Sequence, residues 1–544
     1  MEHPAFDARP RYIDFLDAAV PVALERFELP TGRFLTNGGW AVTNQDIIYP
    51  LAFLYSCPES QYYRDEKLID FMYRGGDALR EFQNPDGTVE FVKIDGSTWG
   101  PIYMPWTMYH WLEAYALLEG DLDTERKQRW EEGLDIAFRG IAENLDRSDV
   151  HNIPVWNAAA TWRAGMIFHN QEWQSAGRRM IERAVDGQHP AGFWPEHGGP
   201  TPLYNLVYLH ALGLYRAFSG DTSVLGAIER ATEFHIRYTY PDGRQVETID
   251  GRVKYHDRIP LTGHVGLQYT ARGRRLIKFH LDQNPAPVLE PRIASSCVHF
   301  LPGITARIPQ EMPEHESIEA GVAISRRVRN WYLCLSLFTT PKVEERWGQD
   351  RQNFISIFND AYGLVVGGGN SKNQPEWSSF LVPTDPAAIP NDAEHMTDEM
   401  GSEFHHDLEP GSSSNDYRVR YRAGTATIDV TARIDSGGVR IGYTSATDIR
   451  LQMLLRLRRG ASIEPISGNS TTVGDSAFHL DSSAGNSFTF ENIRVEIEGE
   501  WNLAWPSSPF NPYAEEGRAP SEDSVAILTL QSRSGAVRFR SDEI

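Results

Sequence analysis

At 544 residues the chain exceeds what one hydrophobic core serves, so two domains or more are expected. Lys and Arg total 52 against 74 Asp and Glu, a formal charge of −22 at pH 7, which disfavours nucleic acid and anionic membranes as partners. An anionic ligand would need a local cluster of Arg, His and Asn within an acidic surround.

The N-terminal segment MEHPAFDARPRYIDFLDAAV lacks a basic stretch followed by an apolar run, and no later stretch is apolar for about 18 residues. The sequence as it stands reads as soluble and cytoplasmic, or as periplasmic or secreted if a leader has been removed. Cys57, Cys297 and Cys334 are odd in number and widely spaced, and are expected to be free buried thiols.

Helical periodicity dominates to about residue 285. It predicts helices over 14–27, 45–55, 67–82, 103–120, 124–144, 153–168, 173–185, 201–218, 223–238 and 262–269. The fourth is entered after Pro101 and stopped by Gly120. The eighth has Thr201 as N-cap and Pro202 at its first position. The helix over 153–168 carries Trp156, Ala158, Ala159, Ala160, Trp162 and Phe168 on more than one face, as an inner helix of a double-layered toroid would.

At 282–287 the sequence DQNPAP reads as a linker, and period-2 runs follow at 425–434, 451–457 and 493–497. Gly437-Gly438 turns the first of these back into 439–443 as a hairpin. The expected organisation is a helical (α/α) toroid over 1–284, holding the catalytic cleft, and a large antiparallel β-sandwich over 285–544. Residues 384–416 read as a long loop holding His395, His405 and His406. Gly367-Gly-Gly369 opens no helix, so a phosphate-binding loop is not expected.

Two patches could carry chemistry: Asp149-Val-His-Asn-Ile-Pro-Val-Trp-Asn157 and Gly192-Phe-Trp-Pro-Glu-His-Gly-Gly-Pro-Thr-Pro-Leu-Tyr204. Each leads into an inner helix, and toroid geometry would set both on one rim. The run from His151 to Leu212 resembles polysaccharide lyases of the heparinase II/III and alginate lyase kind. The counterparts are His151-Asn152, Ala164-Gly165, Gln171–Gln174, Gly192 to Glu196, and Tyr204. The pair reads His then Asn where those families read Asn then His, so which of the two faces the substrate stays open.

The resemblance implies β-elimination on a uronic-acid glycan, an anionic polysaccharide or oligosaccharide. It implies no required cofactor and leaves room for a structural divalent ion. Such a lyase removes the C5 proton beside a carboxylate and then expels the C4 oxygen. Donors must neutralise the carboxylate, and a base must take the proton. His151 and Asn152, with Arg163, fit the first role. Tyr204 fits base or acid and His197 a second base, while His405 and His406 match in type a further group from the sandwich. Trp99, Trp106, Trp156, Trp194 and Glu196 are candidates for holding sugar rings. The cleft beneath His151, Asn152, Arg163 and His197 should be locally electropositive.

Plainer explanations stand beside these. Asn152 could cap its helix, Tyr204 could face the core, and Arg163 could simply pair with a carboxylate. A glycoside hydrolase would instead use Glu196 with Asp46 or Asp149. A non-catalytic glycan-binding relative is the third reading.

Overall fold

The computed structural model describes residues 5–35, 42–92, 98–196, 198–252, 258–284, 289–339, 348–349, 352–369, 371–372, 374–381, 404–410, 415–423, 426–511, 517 and 519–541. The chain divides into two compact units. One comprises Met1–Trp194, Leu203–Ile236 and Ile259–Arg307; the other comprises Pro195–Pro202, Arg237–Arg258 and Ile308–Ile544.

The first unit is built of α1 (Arg9–Leu24), α2 (Ile48–Ser56), α3 (Glu66–Phe82), α4 (Pro105–Leu118), α5 (Thr124–Leu145), α6 (Asn152–Ile167), α7 (Gln171–Asp186), α8 (Pro202–Ser219), α9 (Leu225–Arg237), α10 (His264–Leu267), α11 (Ala271–Gln283) and α12 (Pro291–Val298). Two kinds of helix alternate. In α3 and α7 the buried residues fall on one stripe, such as Trp173, Ala176, Gly177, Met180, Ile181 and Ala184, and the rest is wet. In α2 and α6 burial is almost continuous, from Val155 to Trp162 in α6, which marks them as inner helices. Side-chain caps start the outer ones: Asp65 accepts from Lys67 N, Asp123 from Arg126 N, and Asn170 from Glu172 N and Trp173 N. Gly76 lets α3 close on α5, because a Cβ there would lie 2.1 Å from the Trp130 ring.

Contacts between side chains fix the direction of the inner helices. Trp156 stacks on His210 with centroids 4.9 Å apart, and Trp162 meets Tyr215 edge-on at 5.2 Å. Moving forward along α6 thus moves forward along α8, so the two run parallel. The same holds for α4, where Tyr109 meets Trp156 at 5.9 Å and Glu113 pairs with Arg163 at 2.7 Å. The N-termini of α4, α6 and α8 therefore share one end of the unit.

The helical part extends past the expected division at 284/285. Helix α12 follows the linker, and the first unit ends at Arg307. An eight-residue helix is too short to show a period, and Arg and Lys interrupt the apolar stripe of α11, so neither α11 nor α12 was expected. Residues 237–258, taken for the tail of the toroid, belong instead with the sheets.

The second unit holds two antiparallel sheets. One runs from Phe478–Asp481 at one edge to Glu314–Glu319 at the other, the second from Phe404–Pro410 to Thr471–Thr472. Their inner faces share one core, in which Leu333, Leu335 and Val366 of the first meet Val430, Ile441 and Phe539 of the second. The expected hairpin is present: Asp435 pairs with Gly438 across a two-residue turn. Gly438 has φ 145°, and a Cβ there would lie 2.0 Å from Phe539 O.

The expected loop over 384–416 needs correction in part. Phe404–Pro410 is a strand, with His405 opposite Arg422 and His406 opposite Tyr421. The polar run Phe-His-His-Asp-Leu-Glu concealed its period. His395 lies outside the described residues.

Candidate active site

Helix α6 begins at Asn152, after His151 in extended conformation at φ −148° and ψ 175°. His151 occupies the cap position without a side-chain capping bond, and Asn152 lies one step inside the helix, only 6% exposed. Asn152 is therefore not the cap. Tyr204 sits half-exposed in the first turn of α8.

The ring contacts set Asn152 level with the first turn of α8, so with a rise of 1.5 Å per residue Tyr204 stands within about 3 Å of its height. Packed helix axes lie about 8–10 Å apart. Two side chains on neighbouring helices at one level can approach one ligand from two sides.

One turn deeper is a stack of rings. Trp106, half-exposed, meets Trp156 edge-on at 5.8 Å, and Trp156 lies against His210. His110 lies 6.3 Å from Trp156, stacks on Tyr49 at 5.8 Å, and holds Nδ1 3.1 Å from an Asp46 carboxylate oxygen. His210 Nδ1 accepts the Gly263 N–H at 3.2 Å, which assigns the neutral ring's proton to Nε2.

His210 Nε2, His110 Nε2 and Trp156 Nε1 are buried without a hydrogen-bond partner among the described residues. Each such group costs about 1–3 kcal/mol if left unsatisfied, which marks this floor as a place for water or a ligand's polar atoms. Burial first, and then the Arg292 charge, hold the His210 pKa well below the usual imidazole range. Arg292 is itself paired through Nε with its N-cap Glu290 at 2.6 Å. Burial raises the Tyr49 and Tyr109 hydroxyl pKa values, and the Glu113 carboxylate adds to it.

The other expected residues fall elsewhere. Arg163 is eleven positions beyond Asn152, about 16 Å along α6, and is not brought to the same end. Its Nε donates to Glu113 Oε1 at 2.7 Å, and its guanidinium lies over Phe218 at 4.9 Å. Glu113 balances its charge, so it does not supply the expected electropositive cleft.

Trp194 is 1% exposed, stacks on Tyr208 at 4.7 Å and donates from Nε1 to Ala184 O at 2.6 Å. It is core and cannot stack a sugar. Trp156, also 1% exposed, can only support Trp106. Glu196 belongs to the sheet unit, where its backbone bridges Gly199 in both directions at 2.8 and 3.1 Å. Asp46 is engaged by His110, and Asp149 is exposed. His197 lies outside the described residues, as do the side chains of Trp99, His405 and His406.

Among the described residues no group of three His, Cys, Asp or Glu is arranged to hold a metal, and no helix is long and apolar enough to cross a membrane. Asp46, His110, His210, Glu290 and Arg292 were not singled out for the lyase chemistry by sequence. Their signal is faint: histidines inside the apolar runs Tyr109-His110-Trp111 and Leu209-His210-Ala211.

No protein-family model matches the chain, and no curated protein matches it in sequence. Solved structures do. Heparinase III superposes with a TM-score of 0.56 at 11% identity, covering 99% of this chain and 86% of its own. A Paenibacillus xanthan lyase gives 0.56 at 9% identity over 99% and 57%. A chondroitinase AC lyase gives 0.53 at 11% identity over 98% and 82%. At such identities the likeness is one of fold: the chain is built like these polysaccharide lyases, with a helical toroid followed by antiparallel β-sheets.

Proposed function

We propose that the protein is a polysaccharide lyase that cleaves a uronic-acid glycan by β-elimination. The observation that supports this best is the pairing of Asn152 and Tyr204 at one end of the parallel helices α6 and α8. In this reading the Asn152 amide, with His151, donates to the uronate carboxylate and stabilises the enolate-like charge that develops as the C5 proton leaves. Tyr204 takes that proton, with His197 as the alternative base. The C4–O bond then breaks, the electron pair from C5–H becomes the C4=C5 double bond, and the departing oxygen receives a proton. Trp106, backed by Trp156 and His210, carries a sugar ring in the adjoining position.

The test is a panel of uronate polysaccharides, heparin, chondroitin sulfate and alginate among them, assayed for an ultraviolet-absorbing unsaturated uronate. Product from one polymer, lost in Asn152→Ala, supports the reading. New reducing ends without that absorbance would identify a hydrolase, and neither product with retained binding would identify a glycan-binding protein.

A further inference from the structure

The second sheet of the sandwich buries one face and exposes the other. Along Asp416–Ala423, Ala426–Asp435, Gly438–Ser445 and Ser534–Ser541, alternate residues such as Val419, Val430, Ile441 and Val537 are buried. The opposite positions carry arginines in an unusual array. Arg433 stands directly across from Arg440, and Arg440 directly across from Arg538. Three guanidinium groups thus form one row over three neighbouring strands, which lie about 4.8 Å apart.

Like charges directly opposite one another destabilise a sheet. Carboxylates close the row at both ends: Asp416 stands directly across from Arg433, and Glu496 directly across from Arg538. Arg540 lies further along its strand beside Arg494, and both pair with Glu496, at 3.6 and 3.4 Å. The row next to the arginines is Thr431, Gly442 and Ala536, all small, and a concavity of about 400 Å³ beside Thr431 is lined by Asp416, Tyr417, Arg418, Arg433 and Arg440.

Acids only partly balance the array. Asp416 and Asp435 lie 3.8 and 3.7 Å from Arg433, and Glu498 accepts from Arg440 at 3.0 Å. Arg538 makes no ion pair among the described residues. On the neighbouring strand Asp429 accepts from Arg420 at 2.7 Å.

We infer that this arginine row is a binding surface for an anionic polysaccharide chain, made of residues that take no part in the candidate active site. Guanidinium groups match carboxylate and sulfate oxygens bidentately and do not lose their charge. Surfaces for single-stranded nucleic acid add aromatic platforms for the bases, and membrane-binding faces add large apolar side chains. The outward positions of these strands hold neither. A glycan needs only a flat, hydrated face with regularly placed cations.

The test is binding, not cleavage, so it stands apart from the elimination reading. The full chain is titrated with heparin and with chondroitin sulfate, beside the triple variant Arg433→Ser/Arg440→Ser/Arg538→Ser. A second triple variant, Arg139→Ser/Arg147→Ser/Arg179→Ser, removes three exposed arginines from the helical unit and so matches the change in net charge. The parent and the second variant should bind at low salt. The row variant should bind about tenfold more weakly, with a shallower dependence on salt, because fewer counterions are exchanged. Parental affinity in a folded row variant would overturn the inference. So would failure of the parent to bind either glycan, or equal affinity for single-stranded DNA or for anionic phospholipid vesicles.

Discussion

Among the buried histidines of the helical unit are His210, His235, His264 and His280, each 2% exposed or less. They are held by neutral partners. Tyr12 Oη lies 2.9 Å from His264 Nδ1, His264 Nε2 lies 3.2 Å from His280 Nδ1, and the Asn205 amide lies 3.0 Å from His235 Nε2. Burial lowers all four pKa values, to about 3 for His235 and His264. In the unfolded chain each titrates near 6.5.

Below that pH the unfolded state binds protons that the folded state refuses, so stability is full above about pH 7 and falls as pH drops through 6.5. At pH 5 the loss is about 2 kcal/mol for each of His235 and His264, with His210 and His280 acting in the same direction, against a typical total of about 5–15 kcal/mol. Glu247 and Asp360, whose pKa values burial raises, act in the opposite sense, but both lie in the sheet unit. Urea midpoints for the helical unit should therefore be level from pH 8 to 7 and fall steeply by pH 5. His235→Gln, which keeps an acceptor for Asn205, should remove about 2 kcal/mol of that dependence. A midpoint unchanged between pH 7.5 and pH 5 would show that these rings can be charged in place, and would refute the reasoning.

Three substitutions probe single contacts. Tyr204→Phe keeps the ring, so stability should change by about 1 kcal/mol while turnover falls about 10²–10⁴-fold; a Phe variant with parental turnover would remove Tyr204 from the mechanism. Glu113→Gln leaves Arg163, whose side chain is 24% exposed, without its counter-charge. That should cost about 3 kcal/mol by urea unfolding, most of it recovered by adding Arg163→Met. Gly76→Ala drives a methyl group into the Trp130 ring, 2.1 Å away, and should lower stability by about 1–3 kcal/mol without altering turnover.

What the sequence made legible was what repeats locally. The helices at 67–82 and 124–144 have capping acids at Asp65 and Asp123 and long one-sided stripes, and they fall within a residue of expectation. The hairpin at Asp435–Gly438 follows from its glycines, and the three cysteines are free and buried as expected. Features that depend on distant partners were hidden. Trp194 and Trp106 look alike in sequence, yet one stacks on Tyr208 inside the core and the other is half-exposed. Asn152 before a proline looks like a cap until His151 is seen in that position. The arginine row is invisible along the chain, because Arg433, Arg440 and Arg538 meet only through strand register.

The distribution of charge leads to a final test. In the helical unit Arg163 is balanced by Glu113, and Arg292 by Glu290. In the proposed elimination the uronate carboxylate meets the Asn152 amide, whose dipole acts at contact distance and is little affected by ionic strength. Arginines on the sheet, in contrast, hold a polyanion by displacing counterions, a process that weakens steadily with salt. Raising the salt concentration should therefore raise KM on a long polymer and leave kcat at saturation nearly constant. On a short oligosaccharide, whose binding exchanges few counterions, KM should respond much less. If kcat fell with salt as steeply as kcat/KM, an exposed cation would have to act in the elimination step itself, and the role given to Asn152 would be wrong.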